Sequence, residues 1–139
     1  MYETILLPTD GSDPANRAIE HGLSLAREYD ATVHALYVVD TSRYGEPALS
    51  SAEIVLDELE QRGQDLTDEV AERADNDGVA TVTEVCHGRP DAEIVGYADE
   101  IDADVIVIGF QGHSHQRTNR VGSVADRVTR STDRPVFMV

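Results

Sequence analysis

The residues best suited to chemistry lie near the carboxyl end of the chain. They read Gly109-Phe110-Gln111-Gly112, nine further residues, then Gly122-Ser123-Val124. Glycines that follow a strand let the backbone approach a ligand with no Cβ in the way, and successive N–H groups there can form a nest for an anion. Gly122-Ser123 stands just before a helical stretch, whose free N–H groups and positive dipole end favour phosphate. Ser123 suits two compatible jobs, N-cap and phosphate donor. The same residues could simply turn and cap the chain. Their placement after a buried strand, before a helix and inside the basic part of the sequence favours the phosphate reading. Residues 109–139 carry two acids, Asp126 and Asp133, against Arg117, Arg120, Arg127, Arg130 and Arg134, a net of +3. Residues 1–108 carry 25 acids and 6 arginines, a net of −19. A positive island in so acidic a chain suggests a place to hold an anion. The bland alternative is that these arginines pair with acidic neighbours.

Other chemistries fit less well. The chain has no lysine, which removes a Walker-type phosphate loop and the lysine a response-regulator receiver needs. Asp10-Gly11-Ser12 lacks the three-glycine dinucleotide fingerprint. Asp10, Ser12 and a histidine make no hydrolase triad, because no elbow-type nucleophile or oriented base is present. His113-Ser114-His115 lack a third metal ligand and read as a solvated loop or as groups facing a terminal phosphate. Cys86, the single cysteine, cannot form an internal disulfide and reads as an inert buried thiol.

Positioning these residues requires alternating strands and helices. Thr4-Ile5-Leu6-Leu7-Pro8 predicts a short buried strand, ending in the turn Pro8-Thr9-Asp10-Gly11-Ser12. Pro14 suits the first turn of a helix, with Asp13 as N-cap. Ala15, Ala18, Ile19, Gly22, Leu23 and Ala26 follow at helical spacing. A second strand is expected over 31–39, a polar loop over 41–51, and a long helix over 52–76 with Val55, Leu59, Leu66 and Val70 as its stripe and its acids solvated. Gly78 ends that helix. A third, alternating strand covers 79–85, Pro90 opens a third helix, and Asp104-Val105-Ile106-Val107-Ile108 is apolar throughout, as buried parallel strands are. A last helix over 123–131 and a strand over 135–139 close the chain. Helices between strands need right-handed crossovers and a mainly parallel sheet covered on both faces. Ligands bind such sheets beyond the carboxyl ends of the strands. That places Thr9-Asp10-Gly11, Val38-Val39-Asp40, Gly88 and Gly109 onward at one edge.

Composition sets the outer bounds. The 139 residues and 40% hydrophobic content suit one globular domain, 1–139. No apolar run reaches the ~18 residues of a membrane span, and nothing at the amino end resembles a signal peptide, so a cytoplasmic address is expected. With 27 Asp+Glu, 11 Lys+Arg and a net charge of −16, the surface should repel nucleic acid and anionic membranes. Acidity without lysine resembles proteins of salt-loving archaea, where molar salt shortens the Debye length to a few Å.

Three ordered stretches carry a more specific resemblance. Ile5-Leu6-Leu7-Pro8-Thr9-Asp10-Gly11-Ser12, Ala35-Leu36-Tyr37-Val38-Val39-Asp40 and Gly109-x2-Gly112-x9-Gly122-Ser123 together resemble the ATP-binding subgroup of the universal stress proteins. Gly88-Arg89-Pro90 and the closing Pro135-Val136-Phe137-Met138-Val139 also fit. The resemblance implies a Rossmann-like, adenine nucleotide alpha hydrolase-like α/β fold with strand order 3-2-1-4-5 and helices on both faces. It implies that Asp10 binds the ribose hydroxyls, that Val38 meets adenine through its backbone with Pro8 and Thr9 beside the base, and that Gly109, Gly112, Gly122, Ser123 and Val124 hold phosphates, with His113 nearby. Mg²⁺ would accompany ATP, and strand 135–139 would pair two copies into a homodimer. Phe110 and Gln111 depart from the small or basic residues usual between the two glycines, and the missing lysine leaves phosphate charge to Arg117, Arg120 or a cation. The function implied is an ATP-binding regulatory protein of the stress response. The alternatives are a nucleotide-independent scaffold of the same fold or a slow Mg²⁺-dependent ATPase.

Overall fold

The computed structural model describes residues 1–43, 50–111 and 121–139. Nine strands and helices are described: β1 (Thr4–Pro8), α1 (Asp13–Tyr29), β2 (Thr32–Asp40), α2 (Ser50–Asn76), β3 (Thr81–Gly88), α3 (Pro90–Ile101), β4 (Val105–Ile108), α4 (Ser123–Ser131) and β5 (Val136–Met138). All four strand pairings are parallel, in the order β3-β2-β1-β4-β5. The expected order therefore holds, and the sheet reverses direction of winding between β1 and β4. Most expected boundaries fall within two residues. The third strand is displaced toward the carboxyl end, 81–88 instead of 79–85, because it follows β2 in register from Val33↔Thr81 to Asp40↔Gly88. Of the loop expected over 41–51, Thr41–Arg43 forms a 3-10 turn and α2 has begun by Ser50. Its remaining residues lie outside the described ones.

The period of two along each strand sorts side chains to two cores. Ile5, Leu7, Val33, Ala35, Val105 and Val107 pack under α1 and α2. Leu6, Leu36, Ile106 and Ile108 pack under α3 and α4. Both faces are covered, so the central strands are apolar throughout, and Ile5, Leu6, Leu7, Val105 and Ile106 are fully buried. β3 is an edge strand and behaves differently: Val82, Thr83 and Glu84 are exposed.

Helix ends show how local chemistry sets the frame. Ser12, not Asp13, caps α1: its backbone is extended and its hydroxyl accepts from the Ala15 N–H at 3.3 Å. Asp13 is instead the first helical residue, where its charge favours the dipole. Both α1 and α3 stop at an aspartate in the left-handed region, Asp30 and Asp102. The next residue closes each end, with Ala31 N–H donating to Ala26 and Ala103 N–H to Ala98, both at 2.9 Å. Two glycines serve close packing. A Cβ on Gly22 would stand 2.3 Å from Leu7, and one on Gly63 2.4 Å from the Tyr37 ring. Gly63 thus lets α2 lie down against β2.

The basic carboxyl-terminal part is partly consumed by the fold. Arg134 donates to Asp99 at 3.2 Å, Asp102 at 3.0 Å and the Ala103 carbonyl at 2.7 Å, which fastens the approach to β5 onto the end of α3. Arg130 pairs with Asp126 along α4. The anion reading of the island is therefore corrected for these two arginines, which hold neighbouring acids. Arg117 and Arg120 lie outside the described residues.

Candidate functional site

Beyond the carboxyl ends of β1, β2 and β4 the structure holds a cavity of about 350 Å³. Its place follows from the topology. Adjacent crossovers leave opposite faces of the sheet between β1 and β4, so the chain parts there and leaves a crevice. Pro8, Thr9 and Asp10 line it from the end of β1, and Val38 from β2. Gly109, Gly122, Ser123 and Val124 line the other side. Eight of the ten residues singled out from the sequence thus face one space. The other two, Gly112 and His113, lie outside the described residues. Gly88 does not line the cavity, although Pro90 does.

The turn after β1 is tied by its own side chains. The Thr9 N–H donates to the Leu36 carbonyl at 2.9 Å, extending the β1–β2 pairing by one step. Thr9 Oγ1 accepts from Gly11 N–H at 3.2 Å, and Asp10 Oδ1 accepts from Ser12 N–H at 2.9 Å. These bonds fix the Asp10 carboxylate at the cavity wall. Gly11 sits at φ +81, which favours glycine.

The other wall is built on two glycines with different duties. A Cβ on Gly109 would lie 2.8 Å from the Ala15 nitrogen and 2.8 Å from the Pro14 carbonyl carbon. β4 therefore ends in backbone contact with the start of α1. Gly122 is the N-cap of α4 at φ −63, ψ 153, an extended conformation open to any residue. Its N–H donates to the Phe110 carbonyl at 2.9 Å and its carbonyl accepts from Asp126 N–H at 2.9 Å. The capping role considered for Ser123 is corrected: Ser123 is the first residue of α4, and the N-cap is Gly122, which has no side chain to cap with. The first-turn N–H groups of α4 and the exposed Ser123 share one rim of the cavity.

Of the remaining lining, the sequence pointed to Asp40 at the ligand edge and to Gln111 within the glycine loop, but not to the rest. Leu36, Ile94, Ile108 and Ala125 supply an apolar floor, with Val38 and Val124 beside them. Tyr37, Asp40, Leu59, Arg62 and Gln111 complete the walls. Ile94 and Leu59 stand at regular helical positions, so periodicity marks them as core without telling which core atoms border a space. The arrangement can hold a flat apolar group on its floor, a polar group at Asp10 and an anion at the start of α4.

Cys86 lies away from this cavity, half-buried on β3 beneath α3. Burial, then the charges of Glu93 and Glu84, push its thiol up to about 11. Because folding raises the value from 9.0, the neutral thiol supports the fold below about pH 9, and that support is lost as pH rises through about 11. Iodoacetamide labelling of the folded protein should be very slow at pH 7.5 and accelerate steadily toward pH 11. Rapid labelling at pH 7.5 would contradict this environment. Close by, His34 Nδ1 and the Tyr97 hydroxyl share a hydrogen bond at 3.0 Å between β2 and α3. Burial lowers the His34 pKa and so favours the neutral ring. Among the described residues no three His, Cys, Asp or Glu side chains group as metal ligands.

A five-stranded parallel sheet in this order, with helices on both faces and a cavity at its switch point, defines a Rossmann-like α/β protein. The chain belongs to the universal stress protein family, whose model matches residues 1–139. It is 40% identical over 140 residues to a universal stress protein of Methanocaldococcus jannaschii, covering 100% of this chain and 82% of that one. It is 34% identical to one of Methanothermobacter thermautotrophicus, covering 100% and 96%. Among solved structures, the universal stress protein UspA from Lactobacillus plantarum superposes with a TM-score of 0.92 at 30% identity, covering 99% of this chain and 97% of that one.

Proposed function

We propose that the chain is an ATP-binding regulatory protein of the stress response. The observation that carries this reading is the convergence of Asp10, Gly109, Gly122 and Ser123 on one cavity with an apolar floor. Each part suits one part of a nucleotide. The floor of Leu36, Val38, Ile94 and Ile108 suits the base. The Asp10 carboxylate suits a ribose diol, since a charged acceptor makes strong hydrogen bonds. The start of α4, with Ser123, suits phosphate. Mg²⁺ would be held mainly by phosphates and water, which needs few protein ligands. Two solved universal stress proteins of this fold, each 24% identical, are in complex with cAMP and with dAMP. At that identity they speak to the fold, and the nucleotide reading rests on the cavity.

The proposed unit is a cytoplasmic homodimer paired through 135–139. What supports the pairing is the edge position of β5, where Phe137 and Met138 are exposed and no described strand lies beyond it. No helix among the described residues is long and apolar enough to cross a membrane.

The experiment is to purify the protein in molar KCl with Mg²⁺, denature it and identify released nucleotide by mass spectrometry. Close to one adenine nucleotide per chain is the expected result. An empty protein that also takes up no added ATP would replace this reading with a nucleotide-independent scaffold.

A further inference from the structure

We propose that Arg62 is a specificity-determining residue of this cavity, selecting ligands that carry phosphate over the same ligands without it. The inference rests on the nucleotide reading above. Arg62 belongs to α2, the long acidic helix whose polar face reads as plain solvated surface. Its side chain does not behave that way. Glu58 and Asp65 stand four residues before it and three after, within ordinary helical pairing reach. Among the described residues Arg62 forms an ion pair with neither of them, nor with any other acid. It leans across to the turn after β1 instead. Its Nη2 lies 2.9 Å from where a Cβ on Gly11 would stand, next to Asp10.

Charge gives this placement its meaning. Among the described arginines, Arg17, Arg62 and Arg127 form no ion pair with an acid, and of these three only Arg62 lines the cavity. Arg27, Arg73, Arg89, Arg130 and Arg134 each pair with a carboxylate. Arg62 is the only cation among the described residues that line the cavity, where it shares the wall with Asp10 and Asp40. Those two carboxylates repel an incoming phosphate. A guanidinium between helix and turn offsets them. Its fork of donors matches two phosphate oxygens. An uncharged ligand gains nothing from it. Arg62 thus adds a second point of charge recognition, on the opposite side of the cavity from the start of α4.

The test is calorimetric titration of adenosine, AMP and ATP into the wild type, Arg62→Met and Arg62→Lys at one fixed KCl concentration. Arg62→Met is expected to weaken AMP and ATP by about tenfold, the scale of one solvent-exposed charge-assisted contact. Adenosine should change by less than about twofold, since it offers the guanidinium no charge. Arg62→Lys should recover part of the loss. Equal losses for adenosine and AMP, or no loss for either, would overturn the inference and leave the nucleotide reading standing. A wild type that binds none of the three overturns the nucleotide reading, and the inference falls with it.

Discussion

Gly122→Val is expected to weaken ATP binding by roughly a hundredfold while the protein stays folded. The backbone at Gly122 is extended, at φ −63 and ψ 153, which valine adopts freely, so the substitution imposes no backbone strain. What it adds is a branched side chain where the proposed phosphates meet the start of α4. Losing two charge-assisted contacts there costs about 3 kcal/mol, or roughly a hundredfold in affinity. The N-cap preference of glycine over valine is worth about 1 kcal/mol, so the melting temperature should fall by no more than about 4 °C. Isothermal titration and thermal melting on the same sample decide the matter. ATP affinity equal to the wild type's would remove the phosphates from this corner of the cavity.

Gly109→Ala is expected to do the reverse, with the larger effect on the fold. One methyl group at this position would meet the Ala15 nitrogen and the Pro14 carbonyl carbon, both at 2.8 Å. These are backbone atoms at the start of a helix and cannot swing aside. Either β4 or α1 must shift, and overpacking of this kind costs about 2–3 kcal/mol. For a domain of this size that is a melting temperature lower by about 10 °C. Nucleotide affinity should fall as a consequence of the shift. An unchanged melting temperature would mean that the two elements approach less closely than described. The paired variants thus separate two glycines of one motif, Gly109 required by the fold and Gly122 by the ligand.

Much of this architecture is legible in the residues alone. Val105-Ile106-Val107-Ile108 can be little else than a buried parallel strand, and Pro14 followed by alanines at helical spacing can be little else than a helix start. The strand order came from resemblance to a family, not from periodicity, which is silent about neighbours. What escaped the sequence depends on contacts between distant segments. Ser12 and Asp13 are both good caps, and only the extended backbone at Ser12 chooses between them. Arg134 counts as one more positive charge until the fold brings Asp99 and Asp102 to it. Arg62 could not be assigned to the cavity from the helical period. Gly63, next to Arg62, packs on the Tyr37 ring, a contact between α2 and β2 that helical spacing alone does not reveal.

The last residue of the chain reaches further than its position suggests. The Val139 carbonyl accepts from Phe110 N–H at 2.6 Å, and the Phe110 carbonyl accepts from Gly122 N–H at 2.9 Å. Two hydrogen bonds therefore join the β5 sheet edge to the cap of α4. A strand added beside β5 and a ligand resting on α4 would each bias the same short chain of peptide groups. Thermodynamic linkage makes such an influence reciprocal. If a bound ligand tightens association at that edge, association must tighten ligand binding by the same factor. Ligand affinity measured across a range of protein concentrations would then rise with concentration, whereas a flat response would mean that the two events are independent.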